Sequence, residues 1–195
     1  MAARPRQQPP KPPQKPPPKP KNGAWVFGYG SLMWRPNFPH TESRPALLRG
    51  YHRALCIYST QYRGTWERPG LVAGLDRGGS CRGRAFRVAA RDWAEVEAYL
   101  WDREMTDRVY RPSWLNVETP KGPVVAYTFV TNRSHEKYTG RLAAEAALEL
   151  VLQGCGKRGQ CLEYLVNTVE HLNAMGIRSG QLHELLALAR QRGHG

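Results

Sequence analysis

Residues 25–36 read Trp25-Val26-Phe27-Gly28-Tyr29-Gly30-Ser31-Leu32-Met33-Trp34-Arg35-Pro36, and their reading sets the first element of the fold. Trp25 to Tyr29 is β-prone, and the glycines at 28 and 30 stop the strand in a turn. Glycine permits positive φ and lets a ligand approach the main chain closely. Successive N–H groups in such a turn can cradle an anion, and Ser31 adds a hydroxyl. No Gly-Lys-Ser/Thr follows, and the third glycine of a dinucleotide fingerprint is missing. The pattern suits the carboxylate of a small ligand. On spacing alone, a tight β-turn around a core tyrosine is the simpler reading.

Working outward, further strands are expected at Gly50–Ser59, Gly70–Leu75, Arg82–Val88, Trp114–Glu118 and Val124–Val130. Asp76-Arg77-Gly78-Gly79 and Thr119-Pro120-Lys121-Gly122 read as turns between them. Helical period appears at Asp92–Met105, where Asp92 and Glu95 resemble a capping box. It returns at Arg141–Leu152, Gln160–Ala174 and Gly180–Arg190. Strands first and helices later predict an α+β domain with an antiparallel sheet or small barrel, not a βαβ repeat.

Residues 1–22 carry a proline- and lysine-rich run in which neither helix nor sheet can form. This tail is expected to be disordered, with polyproline II character, ahead of a domain at 23–192. It is a candidate docking segment for a protein partner, and a solvated tail is the simpler reading. Removing its six basic residues from the formal net charge of +13 leaves +7 on the rest. That remainder fits a field steering an anionic small molecule. A nucleic-acid surface is disfavoured because no helix-turn-helix, zinc-finger or aromatic RNA-binding signature is present.

No apolar run approaches the length of a membrane span. The basic N-terminus is followed by no apolar stretch, so no secretory signal is expected. A cytoplasmic setting with free thiols follows for Cys56, Cys81, Cys155 and Cys161. Neither the cysteines nor the histidines show metal-ligand spacing, so no metal or cofactor is expected. Cys155, between glycines and near Lys157, is the one cysteine considered as a nucleophile, and it is disfavoured.

On the helix at 92–105, Trp93, Val96, Tyr99 and Leu100 share a face, and Glu104 falls within that stripe. Glu97 lies near its edge and Asp102 points away. A carboxylate on a buried face is costly, and burial raises its pKa toward the range a general acid/base needs. The competing reading, a salt bridge to Arg103 or Arg108 or simple fraying at the helix end, is the simpler one on periodicity alone.

Several segments together resemble the ChaC-like γ-glutamylcyclotransferases. They are residues 25–36, Gly64-Thr65 with Pro69-Gly70-Leu71-Val72, the Gly79–Gly83 turn, Leu100–Met105 followed by Tyr110, and Gly159–Leu165. The resemblance runs from about Trp25 to Leu188. It implies a small mixed β-barrel with flanking helices, a substrate loop over Val26, Phe27, Gly28, Tyr29, Gly30, Ser31 and Leu32, and Glu104 as the catalytic carboxylate. It implies glutathione as substrate, with 5-oxoproline and cysteinylglycine as products. Other γ-glutamyl amino acids or amines are the alternative substrates, and a non-catalytic regulatory binding protein is the alternative class. Cys161 stands where asparagine is common in the family, which leaves the role of its side chain open.

Deleting residues 1–22 is predicted to leave kcat/KM for glutathione unchanged. A large loss, measured as 5-oxoproline release, would give the tail a part in turnover.

Overall fold

The computed structural model describes residues 22–194. The proline- and lysine-rich segment, with its expected disorder, falls on residues 1–21, outside the described residues. Five strands close a barrel: β1 (Ala24–Gly28), β2 (Glu42–Ser59), β3 (Gly70–Val88), β4 (Tyr110–Glu118) and β5 (Val124–Thr131), in the order β1-β3-β2-β4-β5. Neighbours are antiparallel except at the closure, where β1 runs parallel to β5 with Trp25 opposite Ala126. The barrel is therefore mixed.

Alternation along the strands separates two apolar layers. Trp25 and Phe27 join Leu48, Leu75, Ala85, Val117 and Ala126, so all five strands meet in one cluster that fills the barrel. Val26 points the other way, into a layer with Phe86, Tyr127 and Phe129. That layer is covered by α1 (Trp93–Glu104) through Trp93, Val96 and Leu100. Helices α2 (Ala144–Gln153), α3 (Cys161–Ala174) and α4 (Gly180–Gln191) pack together on the outer face of β2 and β3 over Leu55, Leu71 and Ala73. A short hairpin, β6 (Cys155–Gly156) and β7 (Gly159–Gln160), leads into α3.

Three local expectations are corrected. The glycine-rich stretch Asp76–Gly79 does not separate two strands; it lies inside β3. The register of β2 against β3 shifts between Arg49 and Tyr51. There Gly50, Gly78 and Gly79 take φ of +81°, +99° and +66°. The glycines make a bulge that bends one long hairpin, so β2 also begins earlier than Gly50, at Glu42. The capping box also fails. Asp92 is itself helical (φ −94°, ψ −10°) and makes no side-chain cap bond, and its carboxylate lies 3.6 Å from Arg91 Nε. The turn at Thr119–Gly122 forms as expected, with reciprocal backbone bonds between those two residues.

Among the described residues no helix is long and apolar enough to cross a membrane.

Close approach of β1 to β3 depends on Gly83. A Cβ there would lie 2.3 Å from Gly28 O and 2.8 Å from the Phe27 ring. Gly83→Ala is predicted to destabilise the barrel by about 1–3 kcal/mol, the usual cost of overpacking. Urea unfolding checks this; an unshifted midpoint would mean that the two strands can part there without loss.

Candidate active site

The site begins where β1 ends. Gly28 lies so close to the following turn that a Cβ would meet Leu32 Cβ at 3.0 Å. The chain then enters a 3-10 turn, Ser31–Met33, with Met33 N–H donating to Gly30 O at 2.9 Å and Arg35 N–H to Ser31 O at 2.8 Å. The leading N–H groups of such a turn have no acceptor within it. Neither Gly28 nor Gly30 has positive φ, so left-handed backbone is not what selects them. Gly28 answers to packing. Gly30 has φ −126°, and a Cβ there would meet nothing within 4 Å, because it borders open space.

Arg53 of β2 holds this loop from behind. It is 6% exposed, and its Nε donates to Tyr29 O. Its Nη2 donates to Arg82 O at 2.8 Å and lies 3.8 Å from Met33 Sδ. Among the described residues this buried guanidinium has no carboxylate within ion-pair distance; main-chain carbonyls satisfy it.

Glu104, the last residue of α1, meets the loop from the other side. Its side chain is 19% exposed, and Oε1 lies 3.3 Å from Arg103 Nε. The Arg103 guanidinium also donates to Ser31 Oγ at 2.7 Å, Tyr99 Oη at 2.6 Å and Arg35 O at 3.0 Å. One side chain thus fixes the helix end to the turn.

These elements enclose a cavity of about 500 Å³, its mouth included. Phe27, Tyr29, Gly30, Ser31 and Leu32 form one wall, and Val72 and Ala73 of β3 another. Glu104, Tyr110, Thr128, Phe129 and Tyr164 complete it. Of the expected substrate loop, Val26 is packed beneath α1 and Gly28 against Leu32, and neither lines the cavity. A larger groove between the β2–β3 hairpin and the α3–α4 connection, about 1240 Å³, is lined by Arg82, Arg84 and Met175 among others. It is open, and its one carboxylate, Glu118, is exposed and paired with Arg49.

The electrostatics favour proton transfer. Burial pushes the Glu104 carboxyl above its ordinary range, and the nearby charges of Arg103 and Arg158 pull back only in part. The C-terminal end of a helix carries partial negative charge, which acts in the same direction as burial. Burial also holds Tyr29 and Tyr110 well above the usual phenol value, with Glu104 adding to it, so both stay protonated donors. Tyr110 Oη donates to Ala73 O at 3.0 Å, and Tyr164 Oη accepts from Ala73 N–H at 3.1 Å, leaving Tyr164 a proton to give.

The cysteines offer no activated thiolate in the cavity. Burial raises Cys56 to about 12 and Cys161 to about 11, and raises Cys81. Cys155 is exposed on β6, outside the lining. Cys161 serves the fold instead. Its Sγ accepts from Leu71 N–H at 3.2 Å and donates to Leu71 O at 3.0 Å. This pair of bonds, which a carboxamide could also supply, clasps the head of α3 to β3. Among the described residues no group of three or more His, Cys, Asp and Glu could hold a metal.

Sequence reading isolates the loop and Glu104 but not Arg53, Val72, Ala73, Thr128 or Phe129. Arg53 heads the run Ala54–Ile57, which is buried throughout, and a lone arginine abutting that apolar run is the signal that could have marked it. Tyr164 falls one turn into α3 and Tyr110 opens β4; both lie in or beside the segments carrying the resemblance, and the fold turns them toward Glu104.

Comparison with known proteins identifies the fold and the family. Glutathione-specific gamma-glutamylcyclotransferase from Escherichia coli (strain K12) is 34% identical over 164 residues, covering 84% of this chain and 71% of that protein. Glutathione-specific gamma-glutamylcyclotransferase 1 of Mus musculus is 32% identical over 164 residues, covering 82% and 74%. The crystal structure of a yeast γ-glutamyl cyclotransferase specific to glutathione matches with a TM-score of 0.78 at 21% identity, over 88% of this chain and 97% of that one. The α+β barrel with flanking helices is thus a cyclotransferase-type fold. The sequence pattern of the ChaC-like proteins matches residues 24–192, nearly the whole described chain, and the chain belongs to that family.

Proposed function

We propose that this protein is a glutathione-specific γ-glutamylcyclotransferase that closes the γ-glutamyl group on itself, releasing 5-oxoproline and cysteinylglycine. The observation that carries the reading is a carboxyl of raised pKa facing a glycine-lined loop across a cavity that offers no activated thiol. Such a site suits a reaction whose nucleophile belongs to the substrate. The names of the relatives point to the same substrate.

In this reading the substrate's α-carboxylate lies against the loop at Gly30–Leu32, beside the Ser31–Arg103 pair. The Glu104 carboxylate takes a proton from the α-ammonium, and the freed amine attacks the γ-carbonyl carbon. A raised carboxyl pKa narrows the gap to the ammonium and makes that transfer less uphill. As the lactam closes, the bond to the cysteinyl nitrogen breaks. Both protons lost by the attacking nitrogen end on the departing one, with Glu104 as their carrier. Loop N–H groups and the Tyr164 hydroxyl, whose proton is uncommitted, would stabilise the oxyanion. Because the reaction is intramolecular, holding a folded conformer supplies much of the rate. A reducing, cytoplasmic setting fits the free cysteines. The proline- and lysine-rich segment remains a candidate docking element for a protein partner.

Incubation of purified protein with glutathione, followed by quantification of 5-oxoproline, tests the reading directly. Turnover of other γ-glutamyl amino acids in preference to glutathione would favour the broader cyclotransferase. Binding without turnover would favour a regulatory protein.

Gly30→Val is predicted to fold, since a Cβ there meets open space and φ is not left-handed. Its branched side chain should enter the cavity and remove most of the activity. Near-normal kcat/KM in a folded variant would reduce the loop to a turn.

Glu104→Gln is predicted to lower kcat by about 10²–10⁴-fold while glutathione binding largely remains. The sign for stability is the opposite of a salt-bridge loss. An acid whose folded pKa is raised costs stability as pH rises from the ordinary carboxylate range through the raised value. The variant should therefore melt no lower than wild type above that window, and any advantage should vanish below it. Wild-type turnover in a folded Glu104→Gln protein would remove Glu104 from the mechanism and leave Glu97 as the next carboxylate to test.

A further inference from the structure

β1 pairs with β3 only from Arg84 to Val88, while β2 lies along the other edge of β3 for nearly its whole length. Among the described residues, the opening stretch of β3 at Leu71–Ala73 therefore has one edge with no strand beside it. Residues two apart on a strand turn their main-chain groups to the same edge, and here side chains fill all four groups of Leu71 and Ala73. Cys161 Sγ accepts from Leu71 N–H at 3.2 Å and donates to Leu71 O at 3.0 Å. Tyr164 Oη accepts from Ala73 N–H at 3.1 Å, and Tyr110 Oη donates to Ala73 O at 3.0 Å. Three of the four bonds come from the first turn of α3. Residues three apart on a helix have Cβ atoms about 5–6 Å apart, and residues two apart on a strand are separated by about 6.6 Å. The spacings match closely enough for α3 to stand in for the missing strand, with Cys161 and Tyr164 as its rungs.

The two rungs differ in stiffness. A Cβ on Gly70 or on Gly154 would lie 3.0 Å from Cys161 Cβ, and Cys161 N–H donates to Gly154 O at 2.8 Å. That slot takes a small side chain that both accepts and donates. The Tyr164 rung is a single bond at the end of a long side chain, and it uses a lone pair of the hydroxyl rather than its proton. Tyr110, by contrast, spends its proton on Ala73 O. Burial keeps the Tyr164 phenol protonated, and Tyr164 lines the same cavity as Glu104.

We infer that Cys161 is a positioning residue for the reaction: its clasp on Leu71 sets the register of α3 against β3 and so fixes where the Tyr164 hydroxyl presents its proton to the γ-carbonyl oxygen. This rests on the glutathione reading above. Tyr164 meets the reacting atoms and is the catalytic residue of the pair. It gives the developing oxyanion a hydrogen bond and keeps its proton, so the proton traffic through Glu104 is unchanged. Cys161 acts only through Tyr164.

The test is a double-mutant cycle on glutathione, with kcat and KM measured separately and melting temperature recorded for each protein. Tyr164→Phe should lower kcat about 10²-fold at nearly constant KM, the loss of one oxyanion donor. Cys161→Ala, which removes both bonds to Leu71, should lower kcat about tenfold, again at nearly constant KM, because the donor is misplaced. Cys161→Ser, which can still accept and donate over a shorter reach, should hold kcat within about threefold of wild type. Beside Tyr164→Phe, Cys161→Ala should cost less than about twofold more, since no hydroxyl is left to misplace. A tenfold loss that persists beside Tyr164→Phe overturns the inference, as does wild-type kcat in folded Cys161→Ala or in folded Tyr164→Phe. If Cys161→Ala does not fold, Cys161→Ser carries the cycle: its smaller loss must vanish beside Tyr164→Phe, and a persisting loss, or none at all, reduces the clasp to a structural device and overturns the inference. Absence of 5-oxoproline from wild type overturns the glutathione reading and this inference with it. Turnover by wild type combined with any of the failing variant results overturns this inference alone.

Discussion

Partial burial of the Glu104 carboxyl at the end of α1 is the constraint around which the site is arranged. A helix end is an unfavourable place for negative charge, and burial adds to the cost. The neighbouring Arg103 offsets part of it, but Arg103 is shared with Ser31, Tyr99 and the Arg35 carbonyl. A fully committed ion pair would pull the carboxyl down into the ordinary range and leave it a poor proton carrier. Divided among several acceptors, Arg103 orients Glu104 without neutralising it, and the carboxyl stays above its usual value.

The barrel makes that arrangement rigid. Arg53 reaches the Tyr29 carbonyl from the next layer, and Thr128 Oγ1 donates to Phe27 O at 3.0 Å from the strand beside β1. Both peptide groups of Ala73 are taken by tyrosines that reach across from β4 and α3. On these strands the main chain that walls the cavity has its polar groups tied down, and it faces hydroxyls that keep their protons. Little of it needs to reorganise when charge moves.

The parts legible in the sequence are those that depend on local period. The apolar stripe of α1 places Glu104 on a buried face, and the strand ending in two glycines marks the loop. What escapes is whatever requires two distant segments at once. Asp76–Gly79 has turn composition, and only the register shift where it meets Arg49–Tyr51 of β2 shows it to be a bulge within a strand. Asp92 and Glu95 have the spacing of a capping box, but a preceding turn, with Asp92 N–H bonded to Ala89 O, holds the aspartate in the wrong backbone state to use it. Positive φ is the obvious reason for a glycine at 28 or 30. The actual reasons, contact with Leu32 and a border on empty space, exist only after the chain has folded back.

Closing the barrel by laying β1 parallel to β5 pairs Trp25 with Ala126, about a hundred residues apart along the chain. Contacts of such separation form late, because loop entropy must be overcome before they give any return. The β2–β3 hairpin and the β4–β5 pair join near neighbours in sequence and can form ahead of it. During synthesis the first strand leaves the ribosome well before its parallel partner exists. The loop at the end of β1 therefore has its full set of walls only once β1 is seated between β3 and β5. Catalytic competence, in time as well as in space, waits on the closing of the barrel.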